Sequence, residues 1–148
     1  MAFLSSLDIS GSALTASRLR MDVISENIAN ASTTRTQAGG PYRRKMVVYR
    51  SADQKDSFRS LLDQKLEPDS QAMGGVQVEK IVEDQTPFNT VYDPSHPDAD
   101  AQGYVQMPNV DVTKETMDMM SVTRAYSANI NALGAVKNMA AKALEIGK

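Results

Sequence analysis

Apolar residues recur at every seventh position near both ends of this chain, and the middle of the chain shows no such repeat. The N-terminal ladder consists of Leu7, Leu14, Met21 and Ile28. The C-terminal ladder consists of Met119, Tyr126, Leu133 and Ala140, with Val122, Val136 and Ala143 at offset positions. A seven-residue repeat places an apolar stripe along one side of an α-helix, and such a stripe is unstable when it faces water. The pattern therefore predicts two long helices that pack against each other, against other copies of the chain or against a partner.

The apolar residues of the chain are mostly small or flexible. The 148 residues include nine Met, three Phe and no Trp, and aromatic residues make up only 5% of the sequence. Methionine adapts its shape to irregular contacts, which suits the interfaces between subunits. The length corresponds to about one domain. The formal net charge of −2 argues against electrostatic binding to nucleic acid.

Cysteine is absent from the sequence. This excludes disulfide frameworks, thiol nucleophiles and cysteine-based zinc sites. No apolar run approaches the roughly 18 residues that a transmembrane helix needs, so we expect no membrane insertion. The N-terminal stretch MAFLSSLDIS lacks the basic and apolar regions of a secretory signal peptide. If the protein leaves the cytoplasm, we expect it to use another route.

We predict a first helix from about Ser5 to about Ala29. Ser5 and Asp8 have the spacing of a capping box, which favours a helix start at this point. Gly11 weakens the helix by roughly 1 kcal/mol relative to alanine. We therefore expect this helix to depend on packing for its stability.

A second helix is predicted to follow a cap at Asp111 or Thr113 and to continue to Ile146. Together with the first helix, it predicts an α+β fold in which long N- and C-terminal helices pack as a coiled-coil-like pair, with a small β-rich middle domain. The corresponding division of the chain is an N-terminal helical segment, a β-rich middle domain and a C-terminal helix, at residues 1–36, 37–108 and 109–148.

The middle of the chain contains several short candidate strands. Residues 42–49 and 88–92 have strand composition, and residues 76–82 alternate apolar and polar side chains after a Gly-Gly pair. Residues 93–103 contain two prolines and three acids and are predicted to form a loop. Residues 53–65 are compatible with either a helix or a loop.

His96 lies among three carboxylates, those of Asp93, Asp98 and Asp100. Such a set resembles the ligands of a divalent metal, and His96 with Asp98 and Ser95 contains the residue types of a catalytic triad. Geometry rather than sequence proximity defines a triad. We therefore interpret the segment as a turn-rich loop or a contact between subunits, with no metal site and no cofactor.

The basic run of Arg43, Arg44 and Lys45 is open to two interpretations. It is compatible with a phosphate-binding patch, but a solvated edge strand or ion pairs with acidic neighbours are more common arrangements. We expect the second arrangement and no nucleic-acid partner.

Three asparagines, Asn27, Asn30 and Asn129, stand beside the apolar ladders. A polar residue at such a position is either exposed to solvent or forms hydrogen bonds across subunits and fixes their register. The sequence leaves both interpretations open.

Four stretches of the sequence resemble the rod-and-hook axial proteins of the bacterial flagellum. They are residues 7–24, residues 27–44 with Asn-x-Ala-Asn followed by Thr and Tyr-Arg-Arg, residues 93–105, and residues 108–129. The Asp-Pro-x-His-Pro-Asp-Ala-Asp segment is similar to one that is specific to a proximal-rod member of this family. The positions that match the family pattern are Asn27, Ala29, Asn30, Thr33, Tyr42, Arg43, Asn109, Asp111, Arg124 and Asn129.

The resemblance implies a structural subunit of the proximal rod and not an enzyme. Such subunits are exported unfolded by the flagellar type III apparatus, without a cleaved signal, and assemble in the periplasm into a hollow helical drive shaft around the export channel. The implied partners are copies of the chain, other rod subunits, MS-ring/rod adaptor proteins and the export apparatus. The expected subunit-packing residues are Leu7, Leu14, Met21, Ile28, Met119, Val122, Tyr126, Leu133 and Val136. From the residues alone, a helical adaptor or secretion-chaperone-type module stays an alternative.

Overall fold

A computed structural model describes residues 2–37, 39–52 and 74–146 of the chain. Two long helices flank four strands, in the order α1 (Ala2–Ala29), β1 (Lys45–Ser51), β2 (Val76–Glu83), β3 (Asn89–Tyr92), β4 (Tyr104–Met107) and α2 (Val112–Ile146). The α+β fold predicted from the sequence is confirmed. Within the described part of the chain, neither helix is long and apolar enough to cross a membrane. The predicted helix or loop at residues 53–65 lies outside the described residues.

The chain divides into two compact units, and each helix contributes one half to each unit. The terminal unit consists of Met1–Arg18, Tyr49–Glu79 and Arg124–Lys148, and the junction unit consists of Leu19–Val48 and Lys80–Thr123. Neither unit is continuous in sequence, because residues from both halves of the chain build each one. The separation of the sequence into residues 1–36, 37–108 and 109–148 stays a prediction.

The four strands form two separate two-stranded sheets, β1 with β2 and β3 with β4. Backbone hydrogen bonds join Asp84 to Arg44 and Ala52 to Gly75, each at 2.8 Å, which makes β1 and β2 antiparallel. The strands predicted at residues 76–82 and 88–92 are confirmed. The first strand begins at Lys45 instead of residue 42.

Strand β4 is not among the predicted strands. It pairs antiparallel with β3, with Val91 opposite Val105 and Tyr92 opposite Tyr104. Only four residues long, it lies between Gly103 and the buried Pro108. A segment this short carries too little apolar alternation to be identified without its partner strand.

Helix α1 begins earlier than predicted, at Ala2. The predicted cap at Ser5 is therefore wrong, since this residue lies inside the helix. Among the α1 residues whose burial the structure describes, Ala16, Val23, Ile24 and Asn27 are buried. The residues of the N-terminal ladder, Leu7, Leu14, Met21 and Ile28, are only half-buried. The N-terminal ladder therefore lies beside the most buried side of α1 and does not form the centre of that side.

Helix α2 begins where the sequence predicts a cap. The Asp111 carboxylate oxygen Oδ1 accepts hydrogen bonds from the backbone N–H groups of Thr113 at 2.9 Å and Lys114 at 3.3 Å. Val122 is buried, and Met119, Tyr126, Leu133, Val136 and Ala140 are half-buried. Apart from Ala143, which is exposed, the C-terminal ladder therefore marks the side of α2 that the chain itself covers.

Candidate functional site

Asn27 lies at the centre of a buried polar network in the junction unit, with a side chain that is 1% exposed. Its amide nitrogen donates to the Lys45 carbonyl oxygen at 2.9 Å and to Glu115 Oε2 at 3.0 Å. Its amide oxygen accepts from the Lys45 backbone N–H at 2.9 Å and from the Tyr42 hydroxyl at 3.0 Å. Both donors and both acceptor positions of the amide are thus used. The interpretation of Asn27 as an exposed residue is wrong, because its side chain is buried. Its four hydrogen bonds lie within one chain and not across subunits.

Glu115 is also 1% exposed, and Arg44 is its cationic partner. Arg44 Nε lies 2.6 Å from Glu115 Oε1, while its Nη atoms lie 3.7 Å from Asp84 Oδ2 and 3.6 Å from Asp118 Oδ2. Burial acts to lower the pKa of Arg44, but the hydrogen bond and the charge of Glu115, together with the charges of Asp84 and Asp118, outweigh it, so the pKa is raised. The buried carboxylate is thus paired with a cation, and each of its oxygens accepts a hydrogen bond, as a buried charge requires.

Asn109 connects the segment before α2 to the ends of β1 and β2. Its Oδ1 accepts from the Arg44 backbone N–H at 2.9 Å, and its Nδ2 donates to Thr86 Oγ1 at 2.8 Å and to the Asp84 carbonyl at 3.1 Å. The backbone N–H of Thr86 also bonds the Asp84 carboxylate and is the main reason that the pKa of Asp84 is lowered, with a further contribution from Arg44. We call Asn27, Tyr42, Arg44, Asn109 and Glu115 the polar junction.

The Tyr42 hydroxyl is buried against Asn27 and surrounded by acidic groups. Burial, followed by the charges of Glu26, Glu115 and Glu83, raises the pKa of Tyr42 to about 12. The phenol therefore stays protonated and keeps donating to Asn27 throughout the neutral range.

Other family-pattern residues support this arrangement from the end of α1. Thr33 accepts a backbone hydrogen bond from Tyr42 at 3.0 Å, and its hydroxyl donates to Asn30 Oδ1 at 3.1 Å. Arg43 lies 4.4 Å from the centre of the Phe88 ring, and its Nη1 donates to the Asp84 carbonyl at 3.2 Å. These contacts hold the turn that brings Tyr42 back to α1.

Seven of the ten family-pattern residues are not members of the polar junction, and three of these seven are not among the supporting contacts described above. Ala29 ends α1 and is exposed, and Arg124 and Asn129 belong to the terminal unit. The Asn129 amide donates to the Ala125 carbonyl at 3.0 Å, one turn earlier in its own helix. A role of Asn129 in hydrogen bonds across subunits stays a prediction.

Two of the three residues of the basic run are engaged in ion pairs. Arg44 pairs with Glu115, and Lys45 pairs with Glu26 on α1. This confirms the interpretation of the run as ion-paired with acidic neighbours.

The two helices run antiparallel where they meet in the junction unit. Asn27 bonds Glu115, whereas Met21, almost two turns earlier on α1, has its Sδ 3.8 Å from Thr123 Oγ1, about two turns later on α2. Residue numbers therefore increase along α1 in the direction in which they decrease along α2, so the two helices are antiparallel.

The loop around His96 is held by internal hydrogen bonds. The Asp98 backbone N–H donates to His96 Nδ1 at 3.1 Å, and the Ser95 hydroxyl donates to Asp93 Oδ1 at 2.6 Å. This bond, with one from the Ser95 N–H, lowers the pKa of Asp93. Among the residues that the structure describes, no group of three His, Cys, Asp or Glu residues could hold a metal ion. The side chains of the loop thus stabilise its turns.

Sequence reasoning missed the main charged members of the polar junction. Glu115 lies in the first turn of α2, where an acid interacts favourably with the N-terminal end of a helix, and Arg44 is one of three consecutive basic residues. An acid in the first helical turn is common at the surface. Only the fold shows that Glu115 is enclosed.

Two family models match the ends of the chain. The model described as "Flagella basal body rod protein" matches residues 7–37, and the model described as "Flagellar basal body rod FlgEFG protein C-terminal" matches residues 101–146. The flagellar basal-body rod protein FlgC of Bacillus subtilis (strain 168) is 54% identical over 147 residues, which is 97% of each chain. FlgC of Salmonella typhimurium is 44% identical over 148 residues, covering 100% of both chains. FlgC of Borreliella burgdorferi is 41% identical over 153 residues, covering 99% of this chain and 98% of the relative.

The chain belongs to the FlgC family of flagellar basal-body rod proteins. The two matched regions supply opposite sides of the polar junction, since Asn27 lies in the first and Glu115 in the second. In this FlgC-family chain, the junction therefore fastens together two regions that are far apart in sequence.

Proposed function

We propose that this chain is a structural subunit of the proximal rod, assembled helically with its neighbours into the hollow shaft that transmits torque and surrounds the export channel. The similarity to FlgC proteins over essentially the whole chain carries this proposal. The polar junction supports it, because a torque-bearing subunit needs a rigid connection between its two terminal helices.

We further propose that α1 and α2 act as a coiled-coil-like pair that contributes to the inner tube. Their antiparallel contact in the junction unit and the half-buried C-terminal ladder support this pairing. Neighbouring subunits would complete the burial of the ladders. The residues assigned to this packing are Leu7, Leu14, Met21, Ile28, Met119, Val122, Tyr126, Leu133 and Val136.

The proposed location is the periplasmic rod, reached through the type III export apparatus without a cleaved signal peptide. The proposed partners are further copies of the chain, other rod subunits and the MS-ring/rod adaptor proteins at the base. The basis for this part of the proposal is the family pattern of the sequence.

We propose no catalytic role. The side chains of the polar junction bond to one another or to backbone groups in an arrangement that favours rigidity over chemistry. The protein would then work through packing and stiffness alone.

Replacement of Leu133 by Asp tests the proposal. A charge placed in the half-buried face of α2 costs about 3 kcal/mol, so we expect cells carrying only this variant to lose motility and to lack the chain in isolated basal bodies. Ser127→Asp adds the same charge at an exposed position of the same helix and should preserve both.

Circular dichroism of the two purified variants shows whether Leu133→Asp still folds. A folded variant that is absent from basal bodies would support the packing role. Normal incorporation and motility would contradict the assignment of this face.

A further inference from the structure

A side-chain hydrogen bond fastens the loop at residues 93–103 to the turn that follows α1. The Thr34 hydroxyl donates to Asp98 Oδ2 at 2.7 Å, although 64 residues separate the two in sequence. Thr34 stands just before a tight turn in which the Thr36 N–H donates to the Gly40 carbonyl at 2.9 Å. We call the bond between Thr34 and Asp98 the loop tether.

His96 holds Asp98 in the position that the loop tether requires. The Asp98 backbone N–H donates to His96 Nδ1 at 3.1 Å. A ring nitrogen accepts a hydrogen bond only while it carries no proton, whereas both ring nitrogens of a protonated histidine are donors. After protonation, the Asp98 N–H would face another N–H group. The tethered arrangement therefore requires a neutral His96 with its proton on Nε2.

The acidic groups of the loop act in the opposite direction, because a nearby negative charge favours the protonated form of a histidine. Asp93, Asp98 and Asp100 all lie within four residues of His96. Two hydrogen bonds from Ser95 are the main reason that the pKa of Asp93 is lowered, and the charge of His96 contributes to the same shift. Histidine side chains change charge between about pH 5 and 8. The hydrogen bond and the carboxylates therefore compete for the state of His96 within that range.

The turn after α1 and the β3–β4 hairpin both line a cavity of about 420 Å³. Thr34, Arg35 and Pro41 line it from the turn, and Asp98 and Tyr104 line it from the hairpin. Arg35 brings a positive charge to the same cavity, and this charge opposes protonation of the loop. Because Arg35 is exposed, solvent and salt screen its effect. The loop tether joins the two sides of the cavity.

Protonation of His96 acts on the loop tether in two ways. It removes the acceptor of the Asp98 N–H, and it creates a cation that competes with the Thr34 hydroxyl for the Asp98 carboxylate. The backbone bonds from the His96 N–H to the Asp93 carbonyl at 3.3 Å and from the Ala99 N–H to the His96 carbonyl at 3.0 Å do not involve the ring. The change is therefore confined to the contact between the loop and the turn.

We propose that the loop tether is a pH-sensitive contact, which forms while His96 is neutral and opens when His96 is protonated. An acidic medium thus changes the shape of the surface formed by the loop and the turn without breaking the polar junction. The inference concerns the folded chain itself, so it is tested independently of the proposed function.

Nitrogen-15 NMR of the purified full-length chain between pH 8 and pH 5 tests the proposal. The chain contains one histidine, so its imidazole signals are unambiguous. We expect the Asp98 amide resonance to shift with the same midpoint as the His96 ring. The Thr86 N–H, which bonds the Asp84 carboxylate at 3.0 Å, is the internal control and should not shift with that midpoint, because the pKa of Asp84 is lowered by this bond and by Arg44. An Asp98 amide that stays constant while His96 titrates would overturn the proposal.

Substitutions at His96 separate the hydrogen bond from the charge. The Oδ1 atom of asparagine can take the place of Nδ1 and accept the Asp98 N–H, but it cannot be protonated in this pH range. His96→Asn should therefore keep the loop tether at both pH 8 and pH 5. His96→Ala removes the acceptor and should weaken the tether at both.

The loss of melting temperature caused by Thr34→Val reports whether the tether is formed, because valine retains the shape of threonine and lacks the hydroxyl donor. In the native chain this loss should be about 3 °C at pH 8 and less than half as large at pH 5. It should be equal at the two pH values in the His96→Asn chain and small at both in the His96→Ala chain. An equal loss at pH 8 and pH 5 in the native chain would contradict the pH-sensitive tether.

Thr36→Val is the matched control. It removes an exposed hydroxyl that donates to the Gly40 carbonyl at 3.2 Å within the same turn. Its effect on the melting temperature should be the same at pH 8 and pH 5, since no titrating group takes part in this bond. A pH dependence equal to that of Thr34→Val would show that the whole turn responds to pH and would overturn the assignment to His96.

Discussion

The amide of Asn27 on α1 and the carboxylate of Glu115 on α2 are joined by a 3.0 Å hydrogen bond, although 88 residues separate them in sequence. Both side chains are buried and both are fully engaged. Closing a loop of this length costs conformational entropy, and the completed network helps to offset that cost. The two ends of the chain therefore depend on each other for their order in the junction unit.

Asn27→Ala should destabilise the protein by about 3 kcal/mol, because it leaves buried groups of Tyr42, Lys45 and Glu115 without their partner. Urea unfolding followed by circular dichroism measures the change. Asn129→Ala removes only a bond within α2 and should cost less than about 1 kcal/mol. Equal losses for the two variants would contradict the central role of Asn27.

Arg44→Met should cost about 3–5 kcal/mol, since it leaves the buried carboxylate of Glu115 without a counter-charge. Lys45→Met is the matched control. It removes the neighbouring ion pair with Glu26, whose side chains are more exposed, and should cost less than about 1 kcal/mol. Chemical denaturation measures the free energy of unfolding of both variants. If Lys45→Met lowers it as much as Arg44→Met, burial does not determine how much each ion pair contributes to stability.

Tyr42 should make stability fall at alkaline pH. Its folded pKa of about 12 lies above the ordinary value of 10.0, so the folded state holds its proton more tightly than the unfolded state. The contribution of the Tyr42 proton to the free energy of unfolding is complete below pH 10 and is lost as the pH rises from 10 towards 12. Carbon-13 NMR of labelled tyrosine rings should show one step near pH 12 that Tyr42→Phe removes and Tyr104→Phe retains. Ionisation of Tyr42 near pH 10 would exclude the raised pKa.

Gly103→Ala should destabilise the hairpin by about 1–2 kcal/mol. Gly103 has a φ of +82°, and an added Cβ would lie 3.0 Å from Tyr92 Cε2 and 3.1 Å from Pro94 Cγ. Gly134→Ala is the opposite case, because its added Cβ meets nothing within 4 Å inside α2. It should stabilise the protein by about 0.5–1 kcal/mol. Thermal unfolding measures the melting temperatures of both variants. A shift of the two melting temperatures in the same direction would contradict the conformational requirement at Gly103.

Local signals in the sequence predicted several elements correctly. Asp111 caps α2 as expected, because a cap depends on backbone groups two and three residues away. The alternation of apolar and polar residues at 76–82 predicted β2, because this pattern also depends only on neighbouring residues. Strand β4 and the buried side of α1 were missed, since the first depends on pairing with β3 and the second on the elements that cover α1.

The sequence by itself determined two long helices, a short β-rich middle and the side of α2 that is covered, because periodicity and capping act over a few neighbouring residues. Only the tertiary structure decided that Asn27, Tyr42, Arg44, Asn109 and Glu115 form one buried network. The physical reason is that an amide or a carboxylate has no preferred partner in sequence. Its burial becomes favourable only where the fold brings matching donors and acceptors within hydrogen-bonding distance.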